Sequence, residues 1–188
     1  MAPATQLEDA LGRIIVFVAL LIGGGSLMLA GGQGSGDQAQ LARLKMLFPS
    51  ATSFSPKGGE PVHIKAYTGG AGGAQSVIGY AFWTTEIVPL ERGYGGPIAM
   101  LVGIDTKGIL TGLVLGEHHE PYGDFSIDRA AFAATFKNKN VRDPFKLGAD
   151  IDAVSRATIT MSSAVRAIRN ASRRVARELL TPPEAPKP

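Results

Sequence analysis

The apolar positions of this chain change their spacing twice, and each change marks a different kind of element. From Ile14 to Ala30 the chain reads IIVFVALLIGGGSLMLA, seventeen residues without a charge. As a helix this stretch measures about 25 Å, at the lower limit for a ~30 Å hydrocarbon core. The pattern predicts one N-terminal transmembrane helix over 14–30, after a tail of residues 1–13. A cleaved signal segment is the competing reading and a buried core helix a third. The signal reading is weakened by Arg13 being offset by Glu8 and Asp9, and by Met28-Leu29-Ala30, which lacks a small outer residue for cleavage. Residues 31–40, rich in Gly, Gln and Ser, have linker composition. A short amphipathic helix follows over Gln40–Phe48, with Leu41, Leu44 and Leu47 at three-residue steps before Pro49.

The period then falls to that of strands. Four runs, Val62–Tyr67, Val77–Ile87, Ile98–Ile104 and Ile109–Glu117, are apolar or alternating and bounded by Gly, Pro or Asp. Asp105-Thr106-Lys107-Gly108 reads as a hairpin turn between the last two. Beyond them the helical period returns. Ile127, Ala130, Ala131 and Ala134 predict a helix capped by Ser126, and Ser162–Leu180 carries Val165, Ile168, Val175 and Leu179 on one face. Residues 181–188, TPPEAPKP, predict a disordered tail. The expected plan is α+β: an antiparallel sheet with flanking helices over 41–180.

Composition sharpens this picture in two places. The 188 residues include 24 glycines without a fixed period, so a loop-rich folded domain is expected rather than collagen or low-complexity disorder. Cysteine is absent, which removes disulfides, thiolate metal ligands and a cysteine nucleophile from the candidates. The net charge of +3 is too small to argue for nucleic acid. Arg166, Arg169, Arg173, Arg174 and Arg177 do gather on the last helix, opposite its apolar face. A solvated face is the plain reading; docking to an acidic redox partner or to anionic lipid is the alternative. Trp83, inside the second strand, reads as core.

The chemistry-bearing stretch is Asp152-Ala153-Val154-Ser155-Arg156-Ala157-Thr158-Ile159-Thr160-Met161-Ser162-Ser163, just before the last helix. Free backbone N–H groups, small hydroxylated residues and an arginine suit a phosphate or phosphodiester. An ordinary N-cap at Thr160 or Ser162 explains the same composition without a ligand and is, on composition alone, the stronger reading. Glu117-His118-His119-Glu120 invites a metal. On an extended strand, however, Glu117 and His119 face one way and His118 and Glu120 the other, so each face offers only two ligands and no metal is expected.

The segment Asp152, Ser155, Arg156, Ala157, Thr158 resembles the flavinylation motif of extracytoplasmic FMN-binding domains: Asp, two variable residues, Ser or Thr, usually Gly, then Ala-Thr. Gly93-Tyr94-Gly95-Gly96-Pro97-Ile98, Val102-Gly103-Ile104-Asp105 with Gly108, and Glu117-His118-His119-Glu120-Pro121 extend the resemblance over about Leu47–Leu180. Within the family, the chain looks most similar to the N-terminal flavin domain of NosR/NirI-type membrane proteins. The resemblance does not extend to their polytopic membrane region or cysteine-rich ferredoxin-like domain, so a stand-alone, singly anchored version is expected.

The resemblance implies FMN joined by a phosphodiester to Thr158, with FAD as donor and a separate Mg²⁺-dependent flavin transferase for maturation. It implies a cofactor site of Asp152, Ser155, Arg156, Ala157, Thr158 and Thr160, with Tyr94, Gly95, Gly96, His118 and Glu120 lining the flavin. Arg156 stands where the family usually has glycine, and its charge suits the phosphodiester anion. Beside the resemblance, Gly95-Gly96 permits positive φ and close approach to a planar ligand, while a tight turn with a surface tyrosine explains GYGG equally well.

No acid–base or nucleophilic constellation stands out, so no catalytic residue is expected. The functional expectation is a membrane-anchored electron-transfer flavoprotein: a carrier or subunit of a redox complex, with protein redox partners and the flavin domain on the periplasmic side of the bacterial inner membrane. The alternative is a non-catalytic or sensory membrane subunit that keeps the fold without covalent flavin. A transferase or hydrolase acting on a phosphorylated ligand lacks a base near Thr158.

Overall fold

The computed structural model describes residues 34–69 and 73–180. The expected membrane segment 14–30, the tail 1–13 and the tail 181–188 lie outside the described residues. Among the described residues no helix is long and apolar enough to cross a membrane. The described residues from Gln38 on form one compact unit, which contains the sheet and the site.

The elements run α1 (Gly34–Leu47), β1 (Ser53–Phe54), β2 (Ile64–Thr68), β3 (Ser76–Trp83), α2 (Thr84–Ile87), β4 (Met100–Asp105), β5 (Leu110–Leu115), α3 (Ala130–Phe136) and α4 (Thr158–Leu179). The five strands form one antiparallel meander in sequence order. This is the α+β arrangement expected from the change of period.

Both faces of the sheet are covered. Five of the six residues of β4 are buried, which is why its sequence, MLVGID, reads as a nearly continuous apolar run. Met100, Val102 and Ile104 join the larger core, to which α4 contributes Met161, Ala164, Val165, Ile168, Ala171 and Val175. Leu101 faces the smaller core with Leu44, Leu47, Phe48 and Ala81. Glycine makes that second packing possible. A Cβ at Gly79 on β3 would come within 2.5 Å of the Phe48 ring, and one at Gly103 on β4 within 3.1 Å of Leu47. Gly112 on β5 lies directly opposite Gly103 and also faces Leu47.

Several local expectations change. α1 begins at Gly34, within the segment read as linker, and Leu41 on it is exposed while Leu44 and Leu47 are buried. The run Val77–Ile87 divides into β3 and the turn of helix α2, and the two-residue β1 is an edge strand with no visible apolar pattern. Ser126 does not cap α3. The flanking residue is Arg129, and the Ser126 hydroxyl donates instead to the Tyr122 carbonyl at 2.5 Å. The hairpin turn is as read: Gly108, at φ 79°, donates to the Asp105 carbonyl, and the Asp105 carboxylate accepts the N–H groups of Lys107 and Ile109. Trp83 is half-buried beside the smaller core, with the Arg43 guanidinium 5.7 Å from its ring centroid.

Candidate functional site

The last helix begins at Thr158, four residues before the expected Ser162. Its flanking residue is Ala157, with no side-chain cap and no acid in the first turn. The N-cap reading of Thr160 and Ser162 is therefore overturned, and Thr158 becomes the first helical residue with its side chain exposed. The first N–H groups of any helix lack partners within it, and the dipole makes that end electropositive. Arg156, just before this end, sits at φ 71°. That left-handed conformation costs a non-glycine residue roughly 1–2 kcal/mol, which explains why the motif usually has glycine there.

Glu120 holds the surrounding loops together. Its carboxylate is buried and accepts the N–H of Tyr94 at 3.1 Å and of Gly95 at 2.8 Å, together with a short hydrogen bond from the Thr160 hydroxyl. One side chain thus joins the GYGG turn, the loop after β5 and the first turn of α4. The turn itself is closed by Gly93 N–H donating to the Gly96 carbonyl at 2.7 Å. A Cβ at Gly93 would overlap the Glu120 carboxylate, and one at Gly95 the His119 carbonyl. These two glycines are therefore required by contact with protein. Gly96 differs: it needs φ 130° and has nothing within 4 Å of its Cβ position.

His118 and Glu120 do not lie on a strand, because β5 ends at Leu115 and its pairing ends at the Glu117 carbonyl, which accepts from Ala99. His118 Nδ1 accepts the Glu120 N–H at 3.2 Å, which leaves the ring proton on Nε2, 2.7 Å from the Asp128 carboxylate. His63 is buried elsewhere, with Nδ1 2.7 Å from the Pro61 carbonyl. Among the described residues no three His, Cys, Asp or Glu gather as a metal site.

A cleft of about 250 Å³ opens at this end of α4, lined by Tyr94, Tyr122, Arg156, Ala157, Thr158, Ile159 and Thr160. The structure thus brings Tyr94, Arg156, Ala157, Thr158 and Thr160 together. Asp152 and Ser155 are exposed outside the lining, Gly95 and Gly96 form the adjoining turn, and His118 and Glu120 stand behind it as supports. The sequence reading missed Tyr122 and Ile159. Tyr122 directly follows EHHEP, and Ile159 is the apolar residue of α4 that stays out of register with its buried face. Tyr94, Tyr122 and Ile159 are respectively 68%, 44% and 60% exposed, so three large side chains that line the cleft with Thr158 stay open to solvent.

Behind the site, the segment 145–151 is fastened by Asp150. Burial alone would raise the pKa of this carboxyl, but backbone N–H groups of Lys146 and Phe145 and the charge of Lys139 outweigh it and hold the pKa below the usual value. Asp150 accepts from Phe145 N–H at 3.1 Å and Lys146 N–H at 2.6 Å, closing the loop that leads into the Asp152–Thr158 segment.

A helix start beside exposed aromatic residues, with a hydroxyl and a cation, has the chemistry that suits an aromatic phosphate ester. Residues 93–173 match the family model of the FMN-binding domain, and the match contains the GYGG turn, Glu120 and Thr158. Over these residues the chain is similar to FMN-binding domains. The chain is also similar to the regulatory protein NosR of Stutzerimonas stutzeri, at 27% identity over 151 residues. That alignment covers 75% of this chain and 20% of NosR, so the chain spans about a fifth of the length of this curated relative.

Proposed function

We propose that this protein carries FMN joined covalently to Thr158 and relays electrons outside the cytoplasm, anchored in the membrane by residues 14–30. The observation that carries the covalent reading is the exposed Thr158 hydroxyl at an uncapped helix start, inside a cleft walled by Tyr94, Tyr122 and Ile159. At about 250 Å³ the cleft falls below the ~300–1,000 Å³ typical of sites that enclose a small molecule. Contact of that extent holds a flavin weakly, and a covalent tether offsets this by keeping the local concentration high.

The chain's own residues fit the group. The helix start and Arg156 would hold a phosphodiester at Thr158, where Arg156 would supply the opposite charge. Tyr94 and Tyr122 offer ring faces for stacking, and Ile159 offers an apolar surface beside them. Glu120 keeps the Tyr94 turn and the Thr160 turn in fixed relation. No carboxylate or histidine lines the cleft, so removal of the Thr158 proton is assigned to the flavin transferase. When bound, FMN supplies one- and two-electron transfer.

Membrane anchoring, the periplasmic side and redox-protein partners rest on the 14–30 pattern and on likeness to the flavin domain of NosR-type proteins. The test is co-production with a flavin transferase, followed by intact mass of the denatured chain beside Thr158→Val and Arg156→Gly. Covalent flavin in the wild type that is lost in Thr158→Val supports the reading. Flavin in the Arg156→Gly variant alone would favour a subunit that keeps the fold without covalent flavin.

A further inference from the structure

A second cleft lies at the other end of α4. It holds about 620 Å³ and is lined by the hairpin turn 106–108, the segment 140–142 and the last turns of the helix. Its volume lies within the ~300–1,000 Å³ of small-molecule sites. Nineteen helical positions separate Thr158 from Arg177, roughly 28 Å at 1.5 Å each, so this is a separate place on the molecule.

Its charge is one-sided. Lys107, Arg142, Arg173 and Arg177 line it and no acidic residue does, in a chain whose net charge is only +3. None of the four has an ion-pair partner among the described residues. The nearby acids are turned away to backbone groups: Asp105 accepts Lys107 and Ile109 N–H, and Asp143 accepts Asn140 N–H at 2.8 Å. Like charges gathered without partners repel, and an anion between them removes that repulsion.

The walls are fixed to one another before any ligand arrives. Val141 N–H donates to the Gly108 carbonyl at 2.9 Å, and Leu110 N–H to the Lys139 carbonyl at 2.8 Å, which joins the hairpin to the 139–141 segment. Arg173 then fastens the helix to that segment, donating from Nε to the Val141 carbonyl at 3.1 Å and from Nη2 to the Asp143 carbonyl at 2.8 Å. Three elements thus hold cations around one space, with Val141, Ala176 and Leu180 as apolar lining. Such preorganisation lowers the ordering cost of binding.

We infer that this cleft binds a small organic phosphate carrying at least two negative charges, with its phosphates among Lys107, Arg142 and Arg177 and its organic part against Val141 and Leu180. The inference does not depend on the flavin reading, since its residues are not those of the Thr158 cleft.

Calorimetric titration of the full chain with inorganic pyrophosphate tests it. The expected result is saturable one-to-one binding that weakens as KCl rises and falls at least tenfold in Arg142→Gln/Arg177→Gln. Arg166→Gln/Arg169→Gln removes the same charge elsewhere on α4 and is expected to keep the affinity within threefold. Lys107→Gln, on an exposed turn, supplies a second reading should the double variant lose its cooperative melt. Absence of saturable binding, or equal weakening in the two double variants, would overturn the inference by showing no site or only diffuse charge.

Discussion

Glu120 is the residue on which the site's geometry turns, because its carboxylate accepts from the GYGG turn and from α4 at once. Replacing it by alanine leaves two backbone N–H groups and the Thr160 hydroxyl without their buried acceptor. The expected loss is about 3 kcal/mol of unfolding free energy, measured by urea denaturation, given ~1–3 kcal/mol for each unsatisfied buried group and partial recovery by water. A loss below about 0.5 kcal/mol would show that the three donors find water without cost.

Asp150 makes a pH-dependent prediction at the same scale. Its folded pKa is lowered, so its stabilising contribution is fully present above the unfolded-state value of about 3.9 and is lost as pH falls through the lower folded value. In Asp150→Asn the acid-side fall of stability is expected to be shallower than in the wild type below about pH 4, measured by thermal melts across pH. Parallel acid limbs in the two proteins would contradict this. Arg156 at φ 71° gives a physical reason for the glycine usual in the motif, a reason its spelling alone does not contain.

Among the elements, the glycines of β3, β4 and β5 decide how α1 is seated. Gly79, Gly103 and Gly112 sit on adjoining strands and face Leu47 and Phe48 at the end of α1. Gly103→Val is expected to destabilise by roughly 1–3 kcal/mol through overpacking, while smaller residues at Phe48 in the same background recover part of the loss. Additive effects in that double-mutant cycle would show that the two do not share a contact.

The strands and α4 were legible because their periods differ and each buries one consistent face. Less legible were α1, whose Gly- and Ser-containing start resembles a linker, and β1, too short to show a period. The start of α4 was placed late because Thr158, Ile159 and Thr160 are not strong helix formers. That Thr158, Tyr94 and Arg156 come together in one cleft fits the motifs that singled them out. The supporting roles of His118 and Glu120 were not legible, since the loop after Leu115 abandons the strand alternation on which their facing was judged.

For the whole molecule, the sheet is a rigid support from which one end of α4 presents the Thr158 cleft and the other the basic cleft. A helix of 22 residues keeps them apart, so the proposed ligand of the basic cleft and the proposed flavin at Thr158 are expected to act independently unless α4 itself shifts. The arginines of α4 fit this view only in part as a solvated face. Arg166 pairs with Glu91, Arg174 reaches Glu60 and the Ile87 carbonyl, and Arg173 fastens the loop below, so several of them tie the helix to its surroundings.

The most direct measurement is the intact mass of the denatured protein after co-production with a flavin transferase, with in-gel flavin fluorescence beside it. The account predicts that the wild type gains one FMN less one water and fluoresces, that Thr158→Ser keeps some of this adduct, and that Thr158→Val has neither mass gain nor fluorescence. A wild-type chain of unmodified mass, or a Thr158→Val chain still carrying the flavin, would contradict it.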